Sequence, residues 1–269
     1  MKIEVIMSAY NNVRDLKLVL DSYIAQSDND FSICIADDGS GPEVQLLVNE
    51  YKDLNIRHIW QEDCGFRRAK ILNKGITSST ADHIIFTDGD CIPSPDFIAD
   101  HRKMASKNTY TVGVRVYVKK EISEQLRSNM INRKKLFNTT WLLIQSLNKK
   151  VTKPEQAIRY PDFLLPLVTK LKPRMTRFGS NLAMSRDILN EVNGLDEDYE
   201  GWGYEDTDLL WRLSEKGLTP AGKLGRCCQY HLDHKTSKEN KDAKAHFLRK
   251  KGAGNIRCLN GIEKLTAND

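Results

Sequence analysis

The chain has 269 residues, enough for one large domain or one domain with an appendage. Charged residues make up 29% and hydrophobic residues 40%, as in ordinary soluble globular proteins, and no apolar run approaches the ~18–20 residues that cross a bilayer. The net charge of +5 is unevenly placed: residues 119–177 hold fourteen Lys and Arg against four acids, an asymmetry that suits an anionic surface or substrate.

The N-terminal MKIEVIMSAYNN runs directly into a strand pattern and lacks the long apolar core of a signal peptide. The six cysteines, at 34, 64, 91, 227, 228 and 258, show neither a CxxC pair nor zinc spacing. Reduced thiols in a cytoplasmic protein are the expectation.

Taken in order, KIEVIM reads as a strand, VRDLKLVLDSYIAQ as an amphipathic helix, FSICIADDGS as a second strand and EVQLLVNEYKD as a second helix. NIRHIWQED, RRAKILNKGITSS and HIIFTDGDC continue the alternation, with a helix after Pro95 and a strand at YTVGVRVYV. This alternation predicts an α/β fold with a mainly parallel sheet flanked by helices. Residues 119–175 then turn helical and basic, in ISEQLRSNMINRKKLFNTTWLLIQSLNKK and DFLLPLVTKLKPRM. RFGSNLAMSRDILNEVNG returns to a strand and a short helix. GYEDTDLLWRLSEKG reads as a helix with acids in its first turn and Gly217 at its C-cap. With no repeat or linker, 1–269 is expected to be one domain: a nucleotide-binding half (1–115), a helical insertion (116–175), an acceptor and catalytic half (176–235) and a basic tail (236–269).

Ligands of such sheets bind beyond the carboxyl ends of the strands, where Ser8–Asn12, Asp37–Ser40, Gln61–Arg67 and Asp88–Asp90 all fall. Asp88 and Asp90, two apart, share a face if the strand continues through them, and Gly89 allows close backbone approach. Such a pair fits a turn, a Lys or Arg partner, or a divalent cation such as Mg²⁺ or Mn²⁺. Asp37 and Asp38 lie in a turn-rich segment but also offer a carboxylate to a pyrimidine N–H. In GWGYED, Gly201 and Gly203 permit an unusual backbone around Trp202, whose flat face suits a sugar. Glu205 and Asp206 open the following helix, whose positive end stabilises a carboxylate. His231 and His234 in YHLDH could pack or cap, or complete a cation's shell beside the Asp pair.

The ordered set SAYNN, IADDGS, WQEDCGFRRAKILNKG, FTDGDCIPSPDFI, GSNLAMSRD, GWGYEDTDLLWRL and YHLDH resembles glycosyltransferase family 2, with the GT-A (Rossmann-like) fold. The likeness is greatest to the subgroup containing the N-acetylgalactosamine-transferring half of bacterial chondroitin polymerase, and GWG-x-ED is also similar to β-1,4-galactosyltransferases. The resemblance covers residues 1–115 and 176–235. It implies that Ser8, Ala9, Tyr10 and Asn11 border the nucleotide, with Asp38 on uracil, Asp37 beside it, and Gln61 and Arg67 near the base and diphosphate. Asp88, Gly89 and Asp90 become the metal–diphosphate segment, Asp90 most directly, with His231 and then His234 as the histidine ligand. Asn181, Trp202 and Gly203 line the sugar pocket, Glu205 holds the acceptor and Asp206 is the catalytic base. Where the family carries Arg-Asn this chain has Leu72-Asn73, so that arginine's contact is lost or supplied by Arg68 or Lys70. The basic insertion has no clear family counterpart.

The activity implied is metal-dependent (Mn²⁺ or Mg²⁺), inverting transfer of a hexose or N-acetylhexosamine from a UDP-sugar. GalNAc is favoured, then Gal or GlcNAc, and the β-linked product is a growing surface glycan: polysaccharide, lipopolysaccharide or lipid-linked oligosaccharide. Peripheral contact with an anionic membrane, on its cytoplasmic face, fits the insertion's mixture of Leu, Ile, Phe and Trp141 with Lys and Arg. A sugar-phosphate nucleotidyltransferase would need a Gly-rich basic loop after the first strand, which SAYNNVRD is not. P-loop and GxGxxG patterns are absent, and no module for nucleic acid is recognisable. A non-catalytic carbohydrate-binding or scaffold subunit, and that nucleotidyltransferase, are the alternatives.

Overall fold

The computed structural model describes residues 1–171, 179–235 and 240–266. The alternation read from the sequence appears as β1 (Ile3–Ala9), α1 (Val13–Ile24), β2 (Ser32–Asp37), α2 (Pro42–Glu50), β3 (Ile56–Trp60), α3 (Arg68–Thr77) and β4 (His83–Asp88). A short β5 (Cys91–Pro93) precedes α4 (Phe97–Met104), β6 (Thr109–Val112) and β7 (Val114–Val118). The insertion holds α5 (Lys120–Arg127), α6 (Thr139–Leu147), β8 (Val151–Thr152) and α7 (Leu165–Leu171), with 3₁₀ turns at Arg133–Phe137 and Pro154–Ala157. After it come β9 (Asn181–Ser185), α8 (Arg186–Glu191), α9 (Glu205–Glu215), β10 (Thr219–Ala221), β11 (Cys228–His231), α10 (Lys241–Ala253) and α11 (Glu263–Thr266).

Among the described residues, seven strands form a sheet in the order β10-β6-β9-β4-β1-β2-β3, parallel except where β9 runs against β4 and β6. Its two faces follow the two-residue period of the strands. Val5, Met7, Ile33, Ile35 and Ile85 pack into one core with α1, α2 and the insertion, whereas Ile6, Cys34, Ala36, Ile84 and Phe86 pack into the other with α3, α8 and α9. Burial on both sides explains why these strands read as nearly continuous apolar runs. A second sheet, β5-β11-β7-β8, stands beside the first.

Three expectations change. YTVGVRVYV is not one strand: it breaks at Gly113, where β6 belongs to the large sheet and β7 to the small one. A Cβ on Gly113 would lie 2.1 Å from Asn181 Oδ1, so only glycine lets the chain cross there. The insertion is also less helical than its composition implies, because Asn129, Lys149 and Lys153 adopt positive φ and cut it into short pieces. Its stretch at 172–175, with Lys172 and Arg174, lies outside the described residues, as does Arg177. Finally, residues 240–266 of the basic tail are packed against the domain. Lys250 of α10 ion-pairs with Asp196 and with Asp208 at 2.8 Å, and Cys258 and Ile262 are buried.

Candidate active site

β1 and β4 lie in parallel register, with Ser8 opposite Asp88 at their carboxyl ends. Ser8 Oγ donates to Asp88 Oδ1 at 2.7 Å, and Gly89 N–H donates to the Ser8 carbonyl at 2.9 Å. That second bond turns the chain immediately after Asp88. The alternation of a strand does not survive a turn, so the two carboxylates do not share a face as expected. Asp88 faces Arg68, whose Nη2 donates to Asp88 Oδ1 at 2.9 Å, while Asp90 faces His231 and His234.

The Asp90 cluster is built by β11. It runs antiparallel to β5 with His231 opposite Cys91, and Leu232 N–H donates to the Asp90 carbonyl at 3.0 Å. His234 Nε2 lies 3.0 Å from Asp90 Oδ2, His231 Nε2 lies 3.8 Å from it, and the two Nε2 atoms are 3.2 Å apart. Burial pushes the Asp90 pKa up, but the His234 hydrogen bond and both imidazoles outweigh it and hold the carboxylate down at about 2. The Asp90 hydrogen bond raises His234 to about 9, whereas burial lowers His231. Burial thus disfavours the charged form of His231, while Asp90 favours that of His234. Neighbouring ligands of an octahedral cation with bonds of about 2.1 Å stand about 3 Å apart, so this oxygen–nitrogen–nitrogen set has the chemistry and two of the spacings for a divalent ion. Cys91 Sγ donates to Asp90 Oδ1 at 3.3 Å, and burial holds its thiol protonated.

On the other side of Asp88 stands the acidic start of α9. Gly201, Gly203 and Tyr204 all have positive φ, a backbone that the two glycines favour, and it leaves Trp202 43% exposed. Phe66 anchors the loop by accepting from Gly201 N–H at 3.0 Å, and Trp202 accepts from Asn240 N–H at 3.1 Å. Glu205 is buried; its Oε1 is 3.6 Å from Arg68 Nη1, and its Oε2 has no partner among the described residues. Burial raises its pKa despite Arg68. Asp206 is partly exposed, its Oδ2 accepting from Gly179 N–H at 3.0 Å. A Cβ on Gly179 would sit 2.4 Å from Asp206 Cβ, so the glycine permits this close seat.

Arg68 thus joins Ser8, Asp88 and Glu205 in one ion-paired group. Sequence reasoning offered it only as a substitute for a missing arginine; the signal for more was a cation opening a helix between acid-rich strand ends. Leu72 is in the core, and Asn73 is buried and bonded to Leu195 and Glu197, bracing the approach to the Trp202 loop.

The other strand-end residues also converge. Ala9 accepts from Asp38 N–H at 3.0 Å, and Asn11, at φ 51, donates through its N–H to Ser40 Oγ. Tyr10 is exposed and donates to Asp63 Oδ2 at 2.9 Å. Asp38 accepts from Gln61 Nε2 at 2.6 Å and Arg67 N–H at 2.7 Å, and burial raises its pKa. Asp37 is placed differently from expectation: it is wholly buried, with His58 at 2.9 Å and Ser40 N–H at 2.8 Å. Burial opposes its charge, but those bonds win and lower its pKa. Its role is to hold the turn.

Asn181 is likewise not on a pocket wall. It is fully buried, its Nδ2 donating to the Val114 and Cys227 carbonyls and its Oδ1 facing His101 Nε2 at 3.3 Å. It stitches β9 to the second sheet.

A mainly parallel sheet with a carboxylate–imidazole cluster and an acid-headed helix beyond its strand ends is the framework of a GT-A glycosyltransferase. Residues 4–192 match the description "Glycosyl transferase family 2", and the chain belongs to that family. Residues 169–235 match "N-terminal domain of galactosyltransferase". Chondroitin synthase of Escherichia coli is 25% identical over 225 residues, covering 80% of this chain and 32% of that protein. The chain therefore spans about a third of that relative's length. Staphylococcus aureus TarS in complex with UDP superposes with a TM-score of 0.61 at 13% identity, covering 97% of this chain and 68% of that one. The mannosyltransferase PcManGT from Pyrobaculum calidifontis, in complex with GDP-Man and Mn²⁺, gives a TM-score of 0.54 at 17% identity, covering 92% and 60%. These two share its fold.

Proposed function

We propose that the chain transfers a hexose or N-acetylhexosamine from a UDP-sugar to a growing surface glycan, inverting the anomeric centre to give a β-linkage. GalNAc is the favoured sugar, ahead of Gal and GlcNAc. The observation that carries this reading is the convergence of Asp90, His231 and His234 on one side of Arg68, with Glu205 and Asp206 at the α9 side. The UDP bound to TarS and the nucleotide sugar with Mn²⁺ bound to PcManGT support it. So does the resemblance to a chondroitin synthase, whose name gives a glycan product.

Asp90, His231 and His234 would hold Mn²⁺ or Mg²⁺. Such an ion would act as a Lewis acid on the diphosphate leaving group. Ser8, Ala9, Tyr10 and Asn11 would border the nucleotide. Asp38, each of whose oxygens keeps an unused lone pair, would accept the uracil N–H, with Gln61 and Arg67 fixing its position. Arg68 would hold Asp88 against the diphosphate side and Glu205 against the acceptor side. The free, buried Glu205 Oε2 would accept a hydroxyl of the acceptor, and the exposed face of Trp202 would carry the apolar face of a sugar. Asp206 would take the proton of the attacking hydroxyl. Attack from the face opposite the leaving diphosphate inverts the centre without an enzyme nucleophile. Because nucleotide sugars are made inside the cell, we place the reaction on the cytoplasmic side, with the whole chain as one catalytic unit.

The test is transfer from UDP-GalNAc, UDP-Gal and UDP-GlcNAc with Mn²⁺, reading the product's anomeric proton by NMR. A β product from one preferred donor is expected, and Asp206→Asn should lower kcat by about 10²–10⁴-fold with UDP affinity nearly unchanged. An α product, or wild-type turnover in the variant, would overturn the assignment.

A further inference from the structure

The helix α6 presents apolar side chains to solvent. Its nine residues, TTWLLIQSL, carry no charge, and only Leu142 is fully buried. Leu143, Ile144 and Leu147 are 43%, 49% and 84% exposed, and their spacing of one and then three residues puts them on one side of the helix. An ordinary surface helix would carry polar residues there.

The charge around it is one-sided. Between Glu124 and Glu155 the sequence has seven Lys and Arg and no carboxylate. Arg127, Arg133 and Lys150 are tied to Asp15, Asp21 and Glu121. Lys134, Lys135 and Lys149, which flank α6, are exposed and ion-pair with nothing among the described residues. The 3₁₀ turn leading into α6 also lines a groove of about 530 Å³ with Arg133, Lys134 and Phe137, and no carboxylate lines it among the described residues. Cations with aromatic and aliphatic surface, in a hollow open to solvent, suit a phosphate headgroup joined to a hydrocarbon chain.

We propose that α6 and the turn before it dock the protein on an anionic bilayer, with Leu143, Ile144 and Leu147 entering the headgroup–acyl boundary and Lys134, Lys135 and Lys149 meeting lipid phosphates. The excess of exposed lysine at 134, 135 and 149 favours an anionic lipid surface over a zwitterionic one. It also disfavours a second copy of this chain, whose matching face would bring cations against cations. No helix among the described residues is long and apolar enough to cross a membrane, so attachment here is to the surface. This inference is independent of which sugar is transferred.

The experiment is flotation with vesicles of phosphatidylcholine alone and of phosphatidylcholine with about one-third anionic phosphatidylglycerol, at low and high salt. Binding to the anionic vesicles alone, weakened by salt, is expected. Lys134→Gln and Lys149→Gln should each reduce partitioning about fivefold, and Ile144→Glu with Leu147→Glu should abolish it. UDP affinity should stay unchanged in all of them, because these residues lie outside the candidate site. Equal binding to both vesicle types, or none, would overturn the proposal. So would self-association that the same variants dissolve, which would make the face an interface between copies.

Discussion

Arg68 shows how one side chain can join the two halves of a site. Its side chain is only 12% exposed and contacts Asp88, Ser8 and Glu205, which come from three separate segments of the chain. Removing one member of a buried ionic group leaves its partners uncompensated, a loss of about 3–5 kcal/mol. Arg68→Met should therefore lower the urea-unfolding free energy by about 3 kcal/mol in metal-free buffer. A change below about 0.5 kcal/mol would mean that solvent already screens the group. At this scale the sequence was partly legible. The acids and histidines announced themselves by type and spacing, whereas the separate fates of Asp88 and Asp90 did not. They depend on Gly89 N–H bonding to the Ser8 carbonyl in a distant strand, a contact no local pattern encodes. The burial of Asp37 and Asn181 was hidden for a related reason: a polar residue near a strand end either faces a ligand or serves the backbone, and only packing decides.

At the scale of elements, the crossing at Gly113 sets how the second sheet, and with it His231, reaches Asp90. β7 pairs with β11 in parallel, and β11 in turn delivers His231. The Cβ of Gly113→Ala would meet the amide of Asn181, which cannot swing aside without abandoning the Val114 and Cys227 carbonyls. Overpacking combined with stranded buried carbonyls predicts a loss of about 3 kcal/mol, seen as a lower Tm. Pairing the change with Asn181→Ala should cost less than the sum of the two single changes, since the collision is then gone. Strict additivity would contradict the steric account. The strands and helices of the first hundred residues were readable because burial on both sheet faces gives long apolar runs. The insertion was not, because two of its breaks fall at Lys149 and Lys153, and lysine carries no turn signal.

For the whole molecule, buried neutral histidines set an acid limit. Burial lowers His83 to about 4 and His101 to about 3, and neither His83 Nε2 nor His101 Nδ1 has a partner among the described residues. The unfolded chain protonates these groups below about pH 6.5, while the folded one refuses the proton. The stability they contribute is complete above that pH. It is lost as pH falls from about 6.5 toward the folded values, at up to about 1.4 kcal/mol per pH unit for each histidine. Urea unfolding at pH 7.5 and 5.5 should show this decline, and His83→Gln should make it shallower. An unchanged slope in the variant would contradict it. The architecture at this scale was the most legible part, since strand–helix alternation leaves few ways to wind a parallel sheet. What escaped was the docking of residues 240–266, where Lys250 reaches Asp196 and Asp208 behind the acid-headed helix.

The central claim is that Asp90, His231 and His234 form a cation site serving a nucleotide diphosphate. Calorimetric titration with UDP in Mn²⁺ and in EDTA, for the wild type and Asp90→Ala, tests it most directly. The account predicts binding in Mn²⁺ that EDTA removes and that Asp90→Ala weakens by at least about tenfold, or about 1.4 kcal/mol. UDP binding of equal strength in EDTA, or an Asp90→Ala variant that binds as the wild type does, would contradict it.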